Sequence, residues 1–441
     1  MLASDDGLSF DNMLESDPGF YLFSQRTNFV DINNDGNLDA FVCHDVQPNV
    51  YFLNNGEGGF TFHQGGLGDH PNGGNYGSIW VDYDNDGDPD LFIAKCRGGG
   101  STAGINELHR NDGNGVFTTI ASAEHPENNM SDILQTWSSA WADYDNDGDM
   151  DGLIGASSNS NGSHKLMVNN GDGTFTDGTA GTGYDTFVGM NIEHIAHDFN
   201  NDGWVDVYGG GGQIMYNNGD MTFSPVPVTA PHGPVGDLNN DGFLDIYSKS
   251  FGEANGTIYY GTPNENNWVK ISLEGVESNR NGIGARVEVY AAGDGWSKQI
   301  RDIRSGDGFE FMSSLNAHFG LGETEEIEKI VVKWPSGTVD TILNPSINST
   351  THIIEGDTVL AVNEAANNLF TIYPNPVKDF ITISGNNNIN KITIYDLNGR
   401  LVKTIDVSEG KASVQSLAKG TYVIKLTEVS GKQYTSKIIK E

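Results

Sequence analysis

Within its first 245 residues the chain writes one nine-residue pattern five times, D-x-[DN]-x-D-G-x-x-D. The copies are DINNDGNLD (31–39), DYDNDGDPD (82–90), DYDNDGDMD (143–151), DFNNDGWVD (198–206) and DLNNDGFLD (237–245), here loops 1 to 5. They start 51, 61, 55 and 39 residues apart. Self-similarity at such a period points to a propeller, a solenoid or an array.

The flanks choose among these. Short apolar runs precede the loops, such as Ser78–Val81 and Ser139–Ala142, and strand-like runs follow them, such as Leu91-Phe92-Ile93 and Val207-Tyr208. After the first four loops comes a second motif, YFLNNGEGGF, HRNDGNGVF, MVNNGDGTF and MYNNGDMTF. It reads as strand, Asn/Gly turn and strand, because Asn and Gly tolerate the positive φ of tight hairpins. Four short strands per unit make a propeller blade. The expected fold is therefore all-β: a β-propeller of about five blades over 1–265, a small β domain over 266–360, a polar linker at 361–368 and a β-sandwich over 369–441. The fifth unit lacks its last strand, so two readings stand open: a strand at Leu8–Asn12 pairs beside Thr257–Tyr260 and closes the ring, or the sequence is a fragment cut inside an earlier blade.

Each loop gathers oxygen ligands. The candidate metal residues are Asp31, Asn33, Asp35, Asn37 and Asp39; Asp82, Asp84, Asp86, Asp88 and Asp90; Asp143, Asp145, Asp147, Asp149 and Asp151; Asp198, Asn200, Asp202, Trp204 and Asp206; and Asp237, Asn239, Asp241, Phe243 and Asp245. Position 7 contributes its carbonyl, and glycine at position 6 permits the sharp turn. Carboxylates this close repel unless a cation intervenes. Ca²⁺, taking six to eight oxygens, suits them better than Mg²⁺, and about five ions are expected. An EF-hand is excluded: its twelfth position needs an acidic ligand, and here Val42, Ile93, Ile154, Gly209 and Ser248 stand there.

Charge agrees with a cation partner. The chain has 24 Lys+Arg against 60 Asp+Glu, a net −36, which argues against nucleic acid and anionic membranes. No apolar run of about 18 residues predicts a membrane span. The charge is uneven. Residues 369–441 carry 10 basic and 6 acidic side chains, so the tail is a different kind of domain. Cys43 and Cys96 are too few for a disulfide scaffold; one bond or two buried thiols are both open. MLASDDGLSFDNML does not read as a signal peptide.

No nucleophile elbow, zinc helix or phosphate loop is present, so no catalytic or organic-cofactor residues are expected. His194 and His197 form a weak metal pair, more simply read as packing beside loop 4. Arg280, Arg286, Arg301 and Arg304 concentrate in the middle domain, to pair with surrounding acids or to hold an anionic glycan or carboxylate. Most of Trp80, Trp137, Trp141, Trp204, Trp268, Trp296 and Trp334 are expected in the core.

The loops with their N-N-G-x-G-x-F turns resemble the FG-GAP/VCBS repeats of calcium-binding β-propellers. SNRNGIGARVEVY (278–290), RSGDGF (304–309), HFGLG (318–322) and VKWPSG (332–337) resemble the ASPIC/UnbV domain. YPNPVKD (373–379), IYDLNGRLV (394–402), GTYVIKL (420–426) and KIIK (437–440) resemble the type A sorting domain of Bacteroidota type IX secretion. That resemblance implies export to the medium or the outer-membrane surface, engagement of the secretion machinery, and a leader preceding the sequence given. The expectation is a secreted, calcium-loaded, non-enzymatic adhesion or binding protein whose ligand is a glycan or surface protein. The alternatives are a secreted hydrolase or lyase on the same scaffold, or a structural surface component.

Overall fold

The computed structural model describes residues 2–3, 10–11, 22–69, 74–96, 102–130, 135–157, 163–209, 212–249, 255–293, 295–357, 371–374, 376–384, 389–395, 401–407, 410–428 and 433–440. The linker expected at 361–368 lies outside them. The chain divides into two compact units. One holds Met1–Glu325, Val332–Val339 and Asn348–Gly356; the other holds Glu326–Val331, Asp340–Ile347 and Asp357–Glu441.

In the first unit each acidic loop joins the first two strands of an antiparallel sheet. Sheet 1 runs Ser24–Val30, Asp39–His44, Val50–Asn54, Phe60–Gln64. Sheet 2 runs Asn75–Val81, Asp90–Lys95, Glu107–Asn111, Phe117–Ala121. Sheet 3 runs Ser139–Ala142, Asp151–Ile154, Lys165–Asn169, Phe175–Asp177, and sheet 4 runs Ile195–His197, Asp206–Tyr208, Gln213–Asn217, Phe223–Pro227. Sheet 5 has three strands, Val235–Gly236, Asp245–Ser248 and Thr257–Tyr259. The fold is all-β and propeller-like, as the repeat predicts.

Packing explains the apolar runs after each loop. Successive strand residues point to opposite faces, and here both faces are covered. From Asp90–Lys95, Leu91 and Ile93 join Phe41 and Trp80 against sheet 1, whereas Phe92 and Ala94 join Trp141 and Ile154 toward sheet 3. Leu153 and Val207 meet between sheets 3 and 4, and Tyr208 and Ile246 between sheets 4 and 5. A strand buried on both sides reads as an unbroken hydrophobic run rather than an alternation.

The expected closing strand is not formed as predicted. Phe10–Asp11 pairs with Leu2–Ala3 in a two-stranded sheet, not with Thr257–Tyr259, which lies at one edge of sheet 5. A two-residue pairing within the terminal segment is the more local contact and avoids the entropy of closing a long loop. Residues 8, 9 and 12 lie outside the described set.

The middle region supplies Asn267–Glu274, antiparallel to Ala317–Gly322 and parallel to Ser349–Ile354, and the hairpin Arg286–Ala291 with Lys298–Asp302. In the second unit, Thr371–Tyr373, Phe380–Ser384 and Lys411–Ser413 form one sheet. Leu401–Asp406, Ile389–Tyr395, Gly420–Glu428 and Gln433–Lys440 form another. Ile381, Ile383, Ile392, Ile394, Ile424 and Leu426 share the core between them.

Candidate metal centre

All five loops are built on one hydrogen-bond frame. The position 1 aspartate accepts, on Oδ2, the amide of the position 6 glycine: Gly36 to Asp31 at 2.7 Å, Gly87 to Asp82 at 3.2 Å, Gly148 to Asp143 at 3.0 Å, Gly203 to Asp198 at 2.8 Å and Gly242 to Asp237 at 3.2 Å. Those glycines have φ between +86° and +104°, a region costly for a residue with a Cβ. The position 5 aspartate accepts the position 7 amide at 2.9 Å in every copy.

Position 9 has a bracing role that ligand spacing alone does not reveal. Both oxygens of Asp151 accept backbone amides, from Tyr144 at 3.0 Å and from Asn169 at 2.8 Å. Asp39, Asp90, Asp206 and Asp245 do the same for Ile32 and Asn54, Tyr83 and Asn111, Phe199 and Asn217, and Leu238 and Gly261. The last aspartate thus pins the loop to the Asn/Gly turn, or to its counterpart Gly261, in the same sheet.

Two kinds of loop emerge. In loops 2 and 3 position 3 is aspartate. Oxygens of Asp82, Asp84 and Asp86 lie within 4.8 Å of one another, as do those of Asp143, Asp145 and Asp151. Asp82 Oδ1, Asp84 Oδ1 and Asp143 Oδ1 are buried with no hydrogen-bond partner among the described residues. In loops 1, 4 and 5 position 3 is asparagine, whose Nδ2 donates to the position 5 carboxylate at 3.1, 2.8 and 2.8 Å. There the Oδ1 of Asp31, Asp198 and Asp237 accepts the position 5 amide. Asn33 Oδ1 still stands buried and unpartnered in loop 1.

Burial pushes these carboxyls up: Asp82, Asp143 and Asp198 to about 7, Asp151 to about 8, Asp90 to about 9 and Asp39 to about 6. Neighbouring aspartates add to the rise, and backbone amides or nearby arginines oppose it.

The loops also touch one another through a residue the motif left undefined. Position 4 is asparagine in all five, with φ between +57° and +64°. Asn34 donates to Asp88 Oδ1 at 2.6 Å and Asn85 to Asp149 Oδ1 at 2.5 Å. Asn146 donates to the Gly203 carbonyl at 3.0 Å and Asn201 to the Gly242 carbonyl at 2.9 Å. Each loop is tied to the next. The signal was present, since the residue is identical in every copy, and Asn is among the few residues that tolerate this backbone region.

Cations of the middle region meet the loops. Lys270 Nζ donates to Asp237 Oδ2 at 2.7 Å and to Asn240 Oδ1 at 2.9 Å. Arg286 forks onto Asp302 at 2.7 and 3.0 Å and donates to the Asp82 carbonyl and to Asn85 Oδ1. Arg280 pairs with Glu274 at 3.1 Å and Arg304 lies 3.7 Å from Asp307. For three of the four arginines, then, pairing with acids is what the structure shows.

Segment 304–314 reaches all five sheets. Arg26 donates to the carbonyls of Phe309 and Phe311, and the Phe29 amide to Ser305 Oγ. Phe309 stacks on Tyr76 at 5.2 Å and meets Trp137 edge-on at 5.7 Å. Glu193 accepts the Phe309 and Glu310 amides at 2.8 and 2.6 Å, and the Ser314 amide donates to the Val235 carbonyl at 2.8 Å.

Family models match along most of the chain. An FG-GAP-like repeat matches 31–93, 82–154 and 198–248, ASPIC and UnbV matches 275–360, and the Secretion system C-terminal sorting domain matches 371–441. The chain carries FG-GAP-like repeats, an ASPIC and UnbV domain and a secretion sorting domain. The sorting domain makes it a secreted or surface-attached protein that engages the type IX secretion machinery. Among the described residues no helix is long and apolar enough to cross a membrane. No curated protein matches. Among solved structures, PorZ, a bacterial surface component of the type IX secretion system of Porphyromonas gingivalis, is 13% identical, with 92% of this chain and 43% of that chain covered and a TM-score of 0.20. The extracellular domain of the hybrid two-component system BT3049 of B. thetaiotaomicron is 10% identical, with coverage of 91% and 48% and a TM-score of 0.31. The chain thus spans less than half the length of either, and overlays at these scores do not bear on function.

The remaining candidates are packing residues. Trp80, Trp141, Trp268, Trp296 and Trp334 are buried, as expected. His194 bonds Ser138 Oγ at 2.8 Å, whereas His197 faces Asp307, a residue of the ASPIC and UnbV domain, at 3.9 Å. The pair therefore serves two different neighbourhoods. Cys43 and Cys96 are buried and not joined in a disulfide, and burial pushes Cys43 up to about 11, which leaves it unreactive.

Proposed function

We propose that this protein is a calcium-braced, secreted or surface-attached binding protein, in which Ca²⁺ in the repeat loops is structural. The carrying observation is the set of buried, unpartnered oxygens Asp82 Oδ1, Asp84 Oδ1 and Asp143 Oδ1. A buried acceptor without a donor costs about 1–3 kcal/mol, and one hard cation satisfies several at once. The donor set, all carboxylate and amide oxygen, fits Ca²⁺. Asp82, Asp84, Asp86 and Asp90, with the Asp88 carbonyl, would hold one ion; Asp143, Asp145, Asp147 and Asp151, with the Asp149 carbonyl, would hold a second. Loops 1, 4 and 5 supply similar oxygens with less charge, and extend the reading toward five ions. Metal analysis of protein purified in calcium tests this: at least two ions per chain are expected, and a chain that retains none after equilibration with millimolar Ca²⁺ refutes it.

The binding role is supported by where open surface remains. Segment 304–314 covers the first strands of the sheets or the residues leading into them, so a ligand with a broad footprint is expected at the outer strands. A groove of about 390 Å³ beside sheet 4, lined by Phe187, Val188, Gln213, Met215 and Pro225 among others, lies within the size range of small-ligand sites. Its mix of an aromatic ring with a polar amide suits a sugar face. A glycan array probed with the full chain and with Phe187→Ala tests it; equal binding by both places the ligand elsewhere.

A further inference from the structure

Where the ASPIC and UnbV domain meets sheets 3 and 4 there is a cavity of about 50 Å³, bounded in part by His197, Arg301, Arg304, Asp307 and His318. At about 10–15 Å³ per water, it has room for several waters or one small polyatomic group. Exposed Ser314 and Asn316 lie at its rim, so it is open to solvent. Its charged and polar groups are unusually short of partners.

Arg304 donates through Nη2 to the Trp141 carbonyl at 3.1 Å, but its Nε and Nη1 are buried with no acceptor among the described residues. Asp307, the nearest carboxylate, stays 3.7 Å from Nη2. Arg301 lies over the Phe319 ring at 4.8 Å and, among the described residues, donates to neutral oxygens, the Ile300 carbonyl and Gln299 Oε1. Asp302, the other acid at the rim, is already held by both arms of Arg286. Arg304 therefore has one loosely placed carboxylate, whereas Arg301 is balanced at longer range by Asp198 and Asp143 of the loops and makes no carboxylate hydrogen bond among the described residues. A buried N–H on a charged group without an acceptor is expensive. His318 is 7% exposed and donates through Nε2 to Asn201 Oδ1 at 2.7 Å, because the Asn201 amide nitrogen is engaged with the Gly242 carbonyl. That leaves its Nδ1, also buried and unpartnered, as an acceptor facing the cavity.

We propose that this cavity is a binding site for a carboxylate that carries a neighbouring hydroxyl, with the carboxylate taken by Arg304 and Arg301 and the hydroxyl donating to His318 Nδ1. Charge-assisted N–H···O⁻ bonds are the strong ones available to such a group; the unpartnered N–H donors of Arg304 match its carboxylate, and the unpartnered ring nitrogen His318 Nδ1, with His197 Nε2 also without a hydrogen bond beside it, matches its hydroxyl. Two sources share this chemistry: a free hydroxy acid, or the uronic acid end of a glycan.

The test is titration calorimetry of the full chain, in buffer with calcium, against glycolate, acetate and galacturonate. Saturable one-to-one binding of glycolate, at least threefold tighter than acetate, is expected. Galacturonate binding as tightly as glycolate assigns the site to a glycan end, and its failure to bind assigns it to a free acid. Arg304→Gln should weaken binding at least tenfold, whereas Arg280→Gln, at an exposed pair, should leave it unchanged. Absence of saturable binding of all three by the wild-type chain overturns the proposal, as does undiminished binding by Arg304→Gln. The calcium content of the same samples is read separately, so loss of the metal reading and loss of this one are distinguishable.

Discussion

Loops 2 and 3 and loops 1, 4 and 5 share a backbone and differ at one side chain. With asparagine at position 3, the loop closes on itself: the amide of Asn200 donates to Asp202, and Asp198 Oδ1 takes the Asp202 amide. With aspartate there, no such donor exists, and Asp82 Oδ1 and Asp143 Oδ1 are left buried and bare. One atom, nitrogen for oxygen, changes how much of the loop's hydrogen bonding is met within the loop itself. Loop 5 goes furthest the other way, because Lys270 places a buried ammonium on Asp237.

The largest expected effect is of chelation. An ion at about 100 times its Kd stabilises by about 2.7 kcal/mol per site, so stripping loops 2 and 3 should cost roughly twice that, read as a fall in Tm. The stripped protein should also respond to pH. Asp82, Asp143 and Asp151 have folded-state values raised to about 7, 7 and 8 from 3.8, so their protonated forms favour the fold. Their contribution is complete below the unfolded value and is lost as pH rises through 7 to 8. Melting of the chelated chain should therefore fall between pH 5 and 8, and saturating calcium should flatten that slope. Equal slopes in both conditions would remove the electrostatic basis of the comparison.

Next in size is Lys270→Met. Breaking a buried pair by removing one partner costs about 3–5 kcal/mol, since Asp237 is left buried and uncompensated. If loop 5 relies on this lysine for its charge balance, the variant's loss should be smaller in calcium than in chelator. A loss independent of calcium would mean that the lysine acts only as a packed structural group.

The loops themselves were legible because their physics is local. Glycine at position 6 and carboxylates at alternating positions declare a turn around oxygen ligands, and the buried double-sided strands declare themselves as apolar runs. What connects distant segments was not legible. Nothing near Arg26 announces that it binds the carbonyl of Phe309, and nothing near Asp237 announces Lys270. RSGDGF was readable as part of a domain resemblance, but not as the segment that reaches five sheets. The closing strand failed for a related reason: the motif fit at Phe10 was real, yet a nearer partner at Leu2–Ala3 took the pairing. Position 4 was the one missed residue whose signal lay in the repeat itself.

A smaller change should interconvert the two loop types. Asp84→Asn and Asp145→Asn each give an Asp-type loop the side chain of loops 1, 4 and 5. In chelator each variant should melt higher than the parent, by an amount on the scale of one hydrogen bond, about 1 kcal/mol. In calcium each should melt lower, because a charged ligand has been lost. The crossing of sign between the two conditions is the decisive reading. A shift of the same sign in both would show that position 3 does not govern cation demand.

The smallest effect on ion content should come from Asn146→Ala, which changes no carboxylate. Asn146 Nδ2 donates to the Gly203 carbonyl in loop 4 at 3.0 Å, and its own backbone sits at φ +57°. Alanine loses the bond and fits that backbone region less readily, so about 1–2 kcal/mol is expected. Asn146→Gly separates the two causes: it removes the same bond while relieving the backbone, and should cost less than alanine. Because the tie joins an Asp-type loop to an Asn-type one, calcium should rescue neither variant fully, and metal content should stay at the parental value. If ion content falls along with the melting temperature, the loops are coupled as metal sites and the distinction between the two types is incomplete.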